Sequence, residues 1–186
     1  MRVVPGAVCV VLLSASIGAA AEVRDSTASG FTIVNETVVD AKRAAAWRAA
    51  IRDVGKWWSS DHTVSGEASR LSINAKPQGC FCEDLGDNAG VVHLTVTMVY
   101  PEAVLRLTGG LGPLGLMGVT GNMTWEFDDV EDAPNRTRIK FTYAVGGYRP
   151  EGLDGMAGPV DTVIGEALLR LRSYIETGSP EQARIE

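Results

Sequence analysis

The sequence predicts an α+β protein: a curled antiparallel sheet of about seven strands wrapped around a long C-terminal helix, with two short helices after the first strand. Three observations carry this. Several segments alternate cleanly between apolar and polar residues, which marks sheet strands with one buried and one wet face. The last long segment places Val160, Val163, Ile164, Ala167, Leu168, Leu171 and Ile175 on one helical stripe. A Val/Ile/Thr-rich run near the start leads directly into an alanine-rich helical pattern. Helices packed on the apolar face of an antiparallel sheet are the physical solution for such a pattern.

The chain opens on "MRVVPGAVCVVLLSASIGAAAEV", in which Arg2 precedes an apolar run from Val3 to Ile17 and small residues Ala19 to Ala21. This reads as a secretory signal over residues 1–21, cut near Ala21. The apolar run is shorter than the roughly 20 residues a membrane helix needs. The expected product is exported, periplasmic or secreted, with no stable membrane span after cleavage. Residues 22–30 read as a loose stretch, 31–178 as a single domain and 179–186 as a tail. About 165 residues suffice for one ordinary core. Acidic residues number 23 against 17 basic, and the basic ones are scattered, which disfavours nucleic acid as a partner, and none is expected.

"FTIVNETVVD" reads as the first strand, and Asp40 as the cap of the helix "AKRAAAWRAAIRDV", with Ala44, Trp47, Ile51 and Val54 on one face. "GKWWSSDHTVSG" reads as a short second helix or turn. "SRLSINA" and "GCFCEDL" follow as strands. "GVVHLTVTMVY" sets Leu94, Val96, Met98 and Tyr100 on one face, and His93, Thr95 and Thr97 on the outer one. "YPEA" is a turn and "VLRLT" a returning strand. "GNMTWEFDD" turns Met123, Trp125 and Phe127 inward; after the turn "EDAPNR", "TRIKFTYAV" does the same with Ile139, Phe141, Tyr143 and Val145. Pro159 suits the first turn of the last helix, and Gly178 and Pro180 end it.

This order resembles the START/birch-pollen-allergen-like superfamily (SRPBCC), whose fold is the helix-grip, and within it the polyketide-cyclase and heat-shock-ATPase-activator-like branch. The resemblance rests on "VVDAKRAAAW", on the pair Trp57-Trp58, on "GCFCED" where the family often has a Gly-x-Phe-x-Glu strand, and on the long last helix. It covers about residues 31–176. It implies a deep cavity between sheet and last helix for an apolar or aromatic small molecule, and it implies no single activity, because members include carriers, cyclases and protein-binding modules. A signal segment departs from a cytosolic chaperone cofactor. The side chains expected to line such a cavity are Trp58, Phe81, Met98, Trp125, Phe141, Tyr143, Ile164 and Leu168.

Three stretches could carry chemistry. In "GCFCED", Cys80 and Cys82 would sit roughly 6.6 Å apart on one strand face, near the limit for a disulfide. That leaves two free thiols or a strained, easily reduced bridge. With only two histidines and no second cysteine pair, zinc spacing is lacking, so neither a metal nor a cofactor is expected. If Phe81 and Leu85 point inward, Glu83 does too, and an apolar cavity would raise its pKa and suit it to acid–base work. A one-residue register change would swap these faces. In "WWSSDH", Asp61 and His62 are adjacent and share no face, so a hydrolase triad is not formed, although His62 remains a candidate acid–base. In "GGLGPLGLMGVTG", Leu111, Leu114, Leu116 and Met117 stand among glycines, as a flap over the cavity, a contact surface for a protein partner, or a packed loop.

Overall fold

The computed structural model describes residues 20–181. The expected signal segment therefore lies almost wholly outside the described residues. The chain forms β1 (Ala20–Thr27), β2 (Gly30–Val39), α1 (Arg43–Arg52), α2 (Val54–Trp57), β3 (Leu71–Ile73), β4 (Cys80–Gly86), β5 (Ala89–Tyr100), β6 (Val104–Gly109), β7 (Val119–Val130), β8 (Ala133–Gly147) and α3 (Asp154–Thr177). One sheet of eight antiparallel strands runs in the order β1-β2-β8-β7-β6-β5-β4-β3. It curls around α3, and the core fills the space between them. No helix among the described residues is long and apolar enough to cross a membrane.

The additional strand is β1, in the stretch read from sequence as loose. Glu22 to Thr27 are exposed throughout, so the strand has no apolar period to read. It forms at the sheet edge through backbone pairing with β2 from Ala20↔Glu36 to Thr27↔Gly30. Two other local expectations are corrected. Asp40 does not cap α1; the helix starts at Arg43 after Lys42, and Asp40 instead pairs with Arg136 at 2.9 Å. Pro159 lies inside α3, which begins at Asp154. The helix ends where expected, at Gly178 with φ 80°, a left-handed conformation that favours glycine.

Strands β7 and β8 follow the expected alternation along their length. Met123, Trp125, Phe127, Ile139, Phe141 and Tyr143 are all buried on the inner face. Strand β5 does not follow it, because two bulges interrupt its pairing. Phe81 faces Leu94, but the next residue, Cys82, faces Val92, so His93 is an extra residue. His93 and Leu94 both turn inward, and Val92 turns out. A second bulge between Val96 and Met98 sends Met98 outward at 40% exposure and draws Val99 against the core. The placements of His93 on the outer face and of Met98 in the interior are thereby overturned: each bulge shifts the two-residue period by one.

Candidate functional site

Seven of the eight expected lining residues, Met98 being the exception, are buried in the hydrophobic core. Trp125 lies in the middle of the inner face, with Leu105 of β6 on one side and Phe141 of β8 on the other. Its ring stacks on Phe141 with centroids 4.4 Å apart and planes 17° apart, and Trp57 stands 6.1 Å away. Ile164 and Leu168 are buried on α3 and belong to the same hydrophobic core. Trp57, Trp125, Phe127, Phe141 and Tyr143 have essentially no exposed surface. A groove of about 500 Å³ lies on the outer face, over Thr32, Thr120, Asn122 and Ala144.

Polar atoms within this apolar interior distinguish one region from the rest. The Trp57 indole donates to the carbonyls of Ala49 and Ala50, and the Trp58 indole to that of His62. The Trp125 indole N–H, on a fully buried residue, has no acceptor among the described residues. Two strands away in the same row, Asn35 pairs with Phe141 across the sheet. Its amide Nδ2 donates to Asp161 of α3 at 2.9 Å, while its Oδ1 accepts nothing. Because Asp161 is an acceptor, turning the amide over would set oxygen against oxygen, so the assignment of the two amide atoms follows from the partner. Thr37 Oγ1, one inward position along β2, is also unpartnered. Asn35 and Thr37 are not among the residues expected to line the interior; their inward parity beside Ile33 and Val39 was the available signal.

Of the two faces the sequence left open for it, Glu83 takes the inner one, and its side chain is fully buried. Burial would raise its pKa, but the hydrogen bonds it accepts more than offset that. The backbone N–H groups of Val64 (2.9 Å) and Ser65, with His93 Nε2 at 2.8 Å, donate to the carboxylate. Together with the Ser65 side chain they hold the group at about 2. The expectation of a raised pKa is therefore reversed. An ionised carboxylate only accepts, so His93 Nε2 carries a proton. With its oxygens occupied, Glu83 ties residues 64–65 to the sheet and is a poor proton donor. His62, the other acid–base candidate, lies near Glu166 at 3.4 Å on the surface side of α3. Among the described residues no group of three or more metal-ligating side chains is assembled.

The glycine-rich segment packs as a lid on the end of the core. Tyr143 Oη donates to the Gly109 carbonyl at 2.8 Å and accepts from the Leu111 N–H at 3.0 Å. Burial raises the Tyr143 pKa, with the Leu111 amide opposing. Gly110 and Gly115 meet backbone to backbone; a Cβ on Gly110 would come within 2.6 Å of the Gly115 nitrogen. Leu114 is buried and Leu111 and Met117 half-buried, so of the four residues proposed as a contact surface only Leu116 faces solvent. Tyr143→Phe is expected to leave the Gly109 and Leu111 groups unsatisfied. It should cost about 1–2 kcal/mol and speed limited proteolysis within 109–118; unchanged stability and cleavage would show the latch to be idle.

Neither family models nor curated proteins match this chain. Solved structures do. A conserved protein of unknown function from Enterococcus faecalis matches with a TM-score of 0.59 at 17% identity, over 90% of this chain and 82% of that one. CalU16 from Micromonospora echinospora matches at 0.56 and 16% identity, over 88% and 86%. CalC from Micromonospora echinospora, a self-sacrificing resistance protein, matches at 0.53 and 13% identity, over 81% and 97%. At such identities the likeness establishes architecture. With the curled sheet and long closing helix it defines the class: this chain has an α+β fold of the helix-grip kind.

Proposed function

We propose that this protein is an exported carrier of the START-like (SRPBCC) kind that binds an apolar or aromatic small molecule between the sheet and α3. The observation that carries the reading is the unpartnered Trp125 N–H at the centre of an aromatic interior. A buried polar group left unmet costs about 1–3 kcal/mol. A ligand that brings an acceptor to Trp125 while stacking among Phe141, Trp57 and Tyr143 would recover that cost. The unmet oxygens of Asn35 and Thr37, roughly 10 Å away across two strand spacings, favour a second, donor-bearing end on the same molecule. Entry would require the 109–118 segment to lift, taking Leu114 with it. The cyclase-like alternative keeps the same interior but has lost Glu83 as a proton donor, so binding is the better-supported reading.

The test is native mass spectrometry of the protein purified from its own host, beside Trp125→Phe. Retained organic mass on the parent chain supports the carrier reading; a bare chain under all gentle conditions would end it. Trp125→Phe removes the orphaned donor and keeps the ring stack. It is expected to weaken ligand retention about tenfold and to leave the ligand-free protein as stable or slightly more so. The N-terminal mass of the exported protein checks processing near Ala21.

A further inference from the structure

We propose that Cys80 and Cys82 form a thiol–disulfide exchange site whose redox state controls the grip of Glu83 and His93 on residues 64–65. The two cysteines are bonded to each other, with only Phe81 between them. Both are half-buried on the outer face of β4, while Phe81 and Glu83 point inward. A bridge this short closes so small a loop that it restrains the unfolded chain little, so a stapling role explains little of its presence.

The bridge does constrain the folded strand. Its Cα atoms are 5.4 Å apart, against roughly 6.6 Å for residues two apart in an extended strand. Strand β4 is therefore shortened at Phe81–Cys82, the step at which β5 carries its extra residue, His93. The shortened strand and the bulged strand face each other. That local mismatch turns His93 inward to Glu83. Phe81, held between the two sulfurs, packs edge-on against Trp58 at 5.3 Å and lies 5.6 Å from the His93 ring. Glu83, one residue beyond Cys82, holds the amides of Val64 and Ser65. Contacts thus run without a break from an accessible disulfide to the aromatic interior and to the loop after α2.

The partner chemistry is that of a dithiol. Its thiolate attacks one of the two sulfurs, forms a mixed disulfide and releases the other cysteine as a thiolate, which takes up a proton. The second thiol of the partner then attacks the mixed disulfide, releases the first cysteine and leaves the partner as a cyclic disulfide. Two electrons and two protons pass to the pair. Once reduced, β4 is free to regain its extended length, which moves Phe81 and the register that presents His93 to Glu83. The inference needs no ligand in the interior and stands or falls apart from the carrier reading.

The experiment titrates the folded, processed protein with dithiothreitol and traps free thiols with iodoacetamide for mass measurement. Amide hydrogen exchange is followed at both end points. The expected result is no labelled cysteine before reductant and two after, with the protein still folded. Exchange at Val64 and Ser65 should quicken about tenfold on reduction, while amides of β7 and β8 around Trp125 and Phe141 keep their protection. The double variant Cys80→Ser, Cys82→Ser should behave as the reduced form with or without dithiothreitol. Labelling without reductant, a bridge that opens only when the protein unfolds, or unchanged exchange at Val64 and Ser65 would each overturn the proposal.

Discussion

Glu83→Gln is expected to destabilise the protein by about 3 kcal/mol near neutral pH and by much less near pH 2. The carboxylate is held at about 2 in the fold, below the ordinary 4.5. A group whose pKa is depressed by folding contributes stability that is fully present above its unfolded value. That contribution disappears as pH falls through its folded value. The window here therefore runs from about 4.5 down to about 2, and the difference corresponds to about 3 kcal/mol at 1.36 kcal/mol per unit. A glutamine keeps one acceptor oxygen but turns an NH2 group toward the donors of Val64, Ser65 or His93. Urea unfolding of both proteins at the two pH values measures this directly. A difference independent of pH would mean that shape rather than charge holds residues 64–65.

Leu114→Asp should be severe and Leu116→Asp nearly silent, although the two residues are neighbours in one glycine-rich segment. Leu114 is 1% exposed and Leu116 is 92% exposed. Driving a carboxylate into the Leu114 site loses the apolar burial and requires desolvating a charge with no partner, a combination expected to cost about 3–5 kcal/mol. At Leu116 the same change occurs in solvent and should stay within about 0.5 kcal/mol. Thermal unfolding of the two variants checks the contrast. If both are silent, residues 109–118 are not a packed lid. If a protein partner is found, Leu116→Asp is the variant that tests its contact, because Leu114→Asp would disturb the core as well.

Both predictions depend on features that the residues announced only in part. Local pattern was enough for α3, whose stripe ends at Gly178, and for β7 and β8, where Met123, Trp125, Phe127, Ile139, Phe141 and Tyr143 all occupy the expected face. The inward direction of Glu83 was one of two registers that the sequence left open, and the structure decided it. The direction of its pKa did not, because the donors that lower it come from residues 18 and 19 positions away and from a neighbouring strand. Strand β1 was illegible because edge pairing uses backbone groups, which every residue type carries.

By itself the sequence determined the class of fold and the inner face of most of the sheet, since periods of two and of 3.6 are written in side-chain polarity. Only the tertiary structure decided how β4 and β5 meet. A bulge depends on how two strands are matched across a ladder, and no single strand encodes it. That one step placed His93 on Glu83 and Val92 in solvent, with the bonded Cys80–Cys82 pair on the strand opposite. The unmet groups of Trp125, Asn35 and Thr37 belong to the same category. Whether a buried donor or acceptor has a partner is a property of its surroundings in space, and of nothing in its own identity.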